Sequence, residues 1–581
     1  MRQITHFIAR GDQGRYVHIP FSIPEDAASF ELHFSYADDP AAPAGLTSRS
    51  SIIDFSLLGP TGALCGSRGS EADEVFVSPW YSTPGYLCPQ ILSGAWTLVI
   101  GAYRVEGPGC LVTVGLNVTS KHPRWLRGDF HVHSNHSDGA LTPAELADLA
   151  RDMGLDFIAV TDHNSISAWG ECPMSPDLTV IKGMEWSRYG GHCTILGYPD
   201  MANIHVFGEC AAYRKTASGP IPSIHPASGS AAPAPFTAKL SQSGNPTSAP
   251  ASTPASAPTS TPTSPTACVA QEVSAAGGVL SIAHPFDDDC PWRYGFPEID
   301  ASDEPAQVSA GSADTRSQSN RDAVNEGIAA VRRPCGPGSF QHGDVPGCPA
   351  PYLLEIWNGA FGEKDMKTLA LWQSLLAAGI RISIIGGSDF HRDVIDANRR
   401  CNSPDKAIGP CGPSNPDEPA QKRQLPTQDG AGRPHRLAHP LTYVHGLSQA
   451  PGDILEAARL GRGYIAAGPD APTMDLDAGL WDGAPGDFTV TFRALPTGAI
   501  VRLIDQAGCF ATYIYDSGGG HPTPHDDCHF VALVRDAAQE RVCDIHMQPA
   551  THPGPTAHRF VRFEVWGAGR PLLIANPIYL F

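Results

Sequence analysis

The chain has no C-x-x-C pair among its 15 cysteines. That argues against a zinc ribbon or a thioredoxin motif, and the odd count does not resemble a disulfide framework. It also lacks any apolar run near the roughly 18 to 20 residues that a membrane-spanning helix needs. The opening stretch MRQITHFIARGDQGRYVHIPF has no signal-peptide apolar core, so a cytoplasmic protein without a membrane partner is expected. Basic residues are few: 40 Lys and Arg against 60 Asp and Glu give a net charge of −20 over 581 residues. Long nucleic acid and anionic membranes need basic surface, so the charge argues against both.

What is present is a globular composition, 41% hydrophobic, with 59 Gly and 54 Pro that predict many loops, and 23 histidines. The length suggests several domains. Residues 1–122 read as all-β. YVHIPFSI, SFELHFSY, SIIDFSLLG, AWTLVIGAY and CLVTVGLNV are short runs separated by turn-forming clusters, the texture of a β-sandwich or jelly roll.

Residues 123–470 alternate strands with helices. A helix is predicted over 143–153, with Thr142 as N-cap, Pro143 at its first position, Glu145 completing a capping box and Gly154 ending it. Helices are also expected over 364–378 and 451–460. The runs DFHVH, FIAVTDH, TVIKGMEW, HCTILGY, VLSIAHPF, LLEIWNG and RISIIGGSDFH predict seven mostly apolar strands, hence an α/β domain with a buried parallel sheet or barrel. A Ser/Pro-rich insertion (217–266) and loops at 287–350 and 393–440 interrupt it. Residues 471–581 turn β-rich again and read as a small C-terminal β-domain.

Metal-competent side chains gather at six of these strand ends. His131 and His133 lie two residues apart, so both project from one face of a strand. Asp138 follows in the loop. His163 ends the second strand, Glu185 the third and His284 the fifth; His192 opens the fourth; Asp389 and His391 end the seventh. Six imidazoles and three carboxylates drawn from several strand ends suit a divalent-metal centre, where such folds place their active sites. Asp162 is read as orienting a ligand histidine, and His136 as a bystander. Arg392 and Asp287 are candidates for assisting a leaving group.

HVHSNHSDG, AVTDH, GMEW, GHCTILGY, SIAHP and GGSDFH occur in an order that resembles the PHP (polymerase and histidinol phosphatase) family. IAHPF, EIWNG, GRGYIAAGP and the terminal NPIYL are similar to its CehA/McbA-type, carbaryl-hydrolase-like branch. The resemblance implies a distorted (β/α)7 barrel flanked by a jelly-roll-like sandwich and a C-terminal β-domain, holding two or three divalent ions (Zn, Mn or Fe). By motif position His131, His133, Glu185 and Asp389 would hold the first ion. Glu185 would bridge to a second held by His192 and His284. Asp138, His163 and His391 would hold a third.

The expectation is a hydrolase that uses a metal-activated hydroxide on a small-molecule ester, with Glu185, Asp389 and His391 as the catalytic set. The substrate is either a carbamate or carboxylic ester, or a phosphoester. Alternatives are a nucleotidase or exonuclease acting on nucleotides, and a carbohydrate- or surface-binding protein around a non-catalytic metal-bound barrel. Homo-oligomer formation is left open.

Overall fold

The computed structural model describes residues 2–37, 51–71, 73–188, 190–197, 273–274, 277–293, 352–391, 436–476, 480–481, 488–515, 534–537, 542–547 and 559–580. The Ser/Pro-rich insertion, Arg392 and most of the loops at 287–350 and 393–440 lie outside the described residues. Among the described residues, no helix is long and apolar enough to cross a membrane.

The N-terminal part contains β1 (Arg2–Ala9), β2 (Tyr16–Ile23), β3 (Ala27–Ala37), β4 (Ile52–Leu58), β5 (Leu64–Arg68), β6 (Glu74–Val77), β7 (Gly94–Arg104) and β8 (Gly109–Ser120). They form two antiparallel four-stranded sheets, ordered β1-β8-β3-β6 and β2-β7-β4-β5. Period-two patterning explains the packing. In β4, Ile53, Phe55 and Leu57 are buried while their neighbours are not. Phe55 stacks on Phe34 of the opposite sheet at 4.1 Å, and Trp96 meets Phe30 edge-on at 5.1 Å.

The central sheet starts with β9 (Arg124–Val132), β10 (Phe157–Val160), β11 (Thr179–Arg188), β12 (Gly191–Leu196), β13 (Val279–Ala283), β14 (Tyr352–Asn358) and β15 (Ile384–Gly387). These lie in sequence order across the sheet. Among the described residues, α1 (Pro143–Asp152), α2 (Glu363–Ala377) and α3 (Pro451–Arg459) accompany them. The capping box of α1 forms as its sequence predicts, with the Glu145 amide donating to Thr142 Oγ1 at 3.2 Å and the Thr142 amide to Glu145 Oε2 at 2.9 Å.

The expectation of a parallel sheet is corrected here: the sheet is mixed. β9, β10 and β11 run parallel, as do β13, β14 and β15, but β12 is antiparallel to both neighbours. The cause is local. Arg188 pairs with Gly191, so only two residues link β11 to β12. A parallel return needs a crossover of about a dozen residues. Reversal puts the start of β12, and so His192, at the same end as the close of β11.

The sheet continues beyond β9 through β16 (Leu441–Gly446), β17 (Gly463–Ala466), β25 (Arg570–Ala575), β24 (Phe560–Gly567), β20 (Ile500–Asp505) and β21 (Gly508–Ile514), with β26 (Ile578–Tyr579) paired to β24. β18 (Thr473–Leu476), β19 (Phe488–Arg493), β23 (Val542–Met547) and β22 (Val534–Ala537) form a separate four-stranded sheet. The segment following β15 returns to β9: the Asp389 amide donates to His131 O at 2.9 Å and the His133 amide to Phe390 O at 3.0 Å.

Candidate metal centre

All nine side chains singled out in the sequence converge at one end of the central sheet. They fall into four overlapping groups whose donor atoms lie within 4.8 Å of one another: His131, His133 and Asp389; His131, Glu185 and His284; His163, Glu185 and His192; and His133, Asp138, His163 and His391.

Where the first two groups meet, His131 Nε2 is 3.4 Å from both Glu185 Oε2 and Asp389 Oδ1. His133 Nε2 is 3.4 Å from Glu185 Oε2 and 3.0 Å from Asp389 Oδ1. All four atoms are buried, and their close polar contacts lack hydrogen-bond geometry. An orphaned buried polar atom is costly, so four facing one another imply something between them. Ligands about 2.0–2.1 Å from a tetrahedral ion sit about 3.3–3.4 Å apart, close to the observed spacing. The residues present therefore fit a divalent cation.

Glu185 is central because its two oxygens are divided. Oε2 faces His131 and His133, with His163 Nδ1 at 2.8 Å. Oε1 takes contacts from His192 Nδ1 at 2.9 Å and His284 Nε2 at 3.2 Å. A carboxylate so shared has bridging geometry. Asp138 faces the outer group, with His391 Nε2 at 3.2 Å from Oδ1 and His163 Nε2 at 3.7 Å from Oδ2.

The electrostatics agree. Burial opposes charge on Glu185 and Asp389, yet the surrounding imidazoles hold both carboxyls well below the ordinary carboxylate range. Asp138 is likewise held down to about 2, chiefly by His391, against the opposing effect of burial. In return, despite desolvation, Glu355, Asp389 and Glu185 raise His131 well above its usual value, and Asp138 and Asp389 push His391 up to about 9. Burial keeps His133 down at about 4. The carboxylates thus demand positive charge, which a divalent cation at this site would supply.

Two candidate ligand positions are strained. His284 has φ 27° and Asp389 φ 51°, in a region that side-chain-bearing residues rarely adopt. Such strain concentrates at functional sites. Gly387 belongs to the same device: a Cβ there would collide with His131 Cβ and come within 2.7 Å of Glu355 Oε1.

The supporting residues were mostly not foreseen. Glu355 accepts from His131 Nδ1 (3.1 Å), the His284 amide (3.1 Å) and Asn358 Nδ2 (3.2 Å). Asp129 accepts from the amides of His131, Ser388 and Ala438. The one available signal was an acid inside each of two apolar runs, LLEIWNG and DFHVH. Asp162 does not bond a ligand imidazole. It accepts from the Ser134 amide and from Ser134 Oγ and Ser137 Oγ at 2.8, 2.7 and 2.6 Å, fixing the loop that carries Asp138. His136 joins none of the four groups and faces Ser167 Oγ and Glu171 instead. Asp287 is buried enough to resist ionising, but Lys364 and His284 hold its carboxyl below the usual range, so it carries no proton to donate near neutral pH.

No curated protein matches the chain. Among solved structures it is similar to a two-domain protein from Bacteroides vulgatus containing a predicted PHP-like metal-dependent phosphoesterase, at 14% identity and TM-score 0.30, covering 79% of this chain and 94% of that one. It is also similar to a protein from Bifidobacterium adolescentis described as a metal-dependent phosphoesterase, and to an amidohydrolase from Chromobacterium violaceum. Each is 17% identical with TM-score 0.20, covering 45% of this chain and 87% of the other. Residues 129–217 match the PHP domain family, and within that span lie His131, His133, Asp138, His163, Glu185 and His192, six of the nine converging side chains.

Proposed function

We propose that the protein is a metal-dependent hydrolase of small esters, and that a phosphoester is its substrate class. The observation that carries the reading is the set of four buried, unpartnered donor atoms from His131, His133, Glu185 and Asp389 at cation-binding spacing. His131, His133, Glu185 and Asp389 would hold one ion, His192 and His284 with Glu185 a second, and Asp138, His163 and His391 a third. When bound, such ions lower the pKa of water, polarise the scissile group and neutralise charge on the leaving oxygen.

The chain's own part is positioning. Glu185 ties the two inner groups together. Asp129 and Glu355 fix His131 from behind, and Asp162 holds the loop of Asp138 in reach. The hydrogen bonds from the segment after β15 back to β9 support reading the seven-stranded unit as a distorted barrel. The order β1-β8-β3-β6 over β2-β7-β4-β5 supports a jelly roll for the sandwich.

A second reading, the carbamate or carboxylic ester hydrolysis of the CehA/McbA branch, is favoured by one observation. The chain places a β-sandwich before the PHP match and further β-sheets after it, the order that the resemblance to that branch implies. Elemental analysis of the purified protein, followed by p-nitrophenyl phosphate, bis-p-nitrophenyl phosphate, 1-naphthyl acetate and 1-naphthyl N-methylcarbamate, tests both. Turnover of the phosphates is expected. Turnover of the carbamate alone would assign the second reading. No metal and no turnover after metal addition would defeat both.

A further inference from the structure

Lys364 is placed where ordinary helix chemistry would not put it. It is the second residue of α2, and a cation in the first turn opposes the helix dipole. Its ammonium group is 3.0 Å from Asn358 Oδ1 and 3.4 Å from Asp287 Oδ2. Asn358 closes β14 and hydrogen-bonds Glu355, which holds His131; Asp287 follows His284, to whose carbonyl its amide donates. Two short chains of contacts, through Asn358 and Glu355 to His131 and through Asp287 to His284, therefore link the head to the candidate metal site. An ammonium has three donors, and these contacts occupy two. The side chain is only partly buried, at 29% exposed, and the third donor has no protein acceptor among the described residues.

We propose that Lys364 is an anion-binding residue of the site, recruiting a non-bridging oxygen of a phosphoester, with Asp287 as the counter-charge that holds the lysine ready until substrate arrives. The proposal rests on the hydrolase reading for its biological sense, and it separates the two substrate classes: a neutral carbamate has no use for this cation, whereas a phosphoester dianion does. A lysine kept only as a strut between α2 and the loop after His284 would behave differently, because both members of the pair would then matter equally.

The test is isothermal titration of inorganic phosphate into the full-length, metal-loaded protein, with metal content and thermal melts as controls. Loss of one charge-assisted contact should weaken phosphate about tenfold or more in Lys364→Met, with most of the affinity restored in Lys364→Arg. Asp287→Asn removes the competitor for the ammonium and should tighten phosphate. Equal weakening in Lys364→Met and Asp287→Asn, or no change in Lys364→Met, would overturn the proposal. If Lys364→Met loses metal or folds poorly, Asp287→Asn decides by its sign. In the parent, turnover of 1-naphthyl acetate without phosphate binding leaves the hydrolase reading standing and removes the subsite. Lysine-dependent phosphate binding without turnover of any ester does the reverse.

Discussion

Glu355 Oε1 lies 3.1 Å from His131 Nδ1, which leaves Nε2 of the same ring as the nitrogen that faces Glu185 and Asp389. The contact fixes ring orientation, and such partners of metal-binding histidines tune affinity. Glu355 serves three donors at once, the other two being the His284 amide and Asn358 Nδ2. A glutamine has a single acceptor oxygen. Glu355→Gln should therefore lower metal affinity about 10- to 100-fold, as read by chelator competition. It should also cost about 1–3 kcal/mol for a buried donor left unpaired. Unchanged metal affinity would show that His131 needs no such support.

Close approach makes a second prediction. Gly387→Ala would drive a methyl group into His131 and Glu355, with β15 and β9 both too well packed to yield. The expected cost is about 1–3 kcal/mol or more, together with loss of bound metal. Gly452→Ala, in the first turn of α3 where nothing lies within 4 Å, is the matched control. It should gain about 0.5–1 kcal/mol and leave metal content alone. A melt of Gly387→Ala equal to the parent's would refute the clash.

Asp365 gives a pH signature away from the metal ligands. It is buried in the first turn of α2 and accepts from the amides of Asn358 and Gly362 at 3.0 and 2.7 Å. Burial outweighs these bonds and the nearby Lys364, raising its carboxyl to about 7. The folded state then binds a proton that the unfolded state, with a carboxyl near 3.9, releases. The sign follows: stability from this group is present at low pH and is lost as pH rises from about 4 through about 7, at up to roughly 1.4 kcal/mol per unit. The melting temperature of the parent minus that of Asp365→Asn should fall across this window and level off above it. A flat difference would mean the carboxyl titrates normally.

How far the sequence reached is clearest at the third and fourth strands. Both were legible as apolar runs, and Glu185 and His192 were legible as candidate ligands. Their antiparallel pairing was not, although Gly190 in the two-residue link and Gly191 at the start of β12 stand in the sequence. The ligands were visible because strand-end histidines break an apolar pattern. Glu355 and Lys364 carry no such signal: they fall inside a strand pattern and a helix pattern, and nothing local distinguishes a buried supporting acid from a tolerated one. The joining of β25 to β17 pairs residues more than a hundred positions apart, beyond the reach of local patterning.

Asp162 offers a test that separates the outer group from the inner ones. Its carboxyl holds the loop of residues 134–138 by three hydrogen bonds, and Asp138 at the end of that loop reaches only the group of His133, His163 and His391. The His131 and Glu185 contacts do not pass through this loop; they come from strands β9 and β11 directly. Asp162→Ala strips three donors of their acceptor, one of them the buried Ser134 amide, at a cost of about 1–3 kcal/mol. The loop should loosen, and metal content should fall by one ion per chain while the inner ions stay. Glu185→Gln, by contrast, removes the carboxylate shared by both inner groups and should reduce occupancy throughout. Elemental analysis of the two variants beside the parent reads this directly. If Asp162→Ala lost every ion, the outer and inner groups would be one cooperative site, and the independence of the Asp138 loop would be refuted.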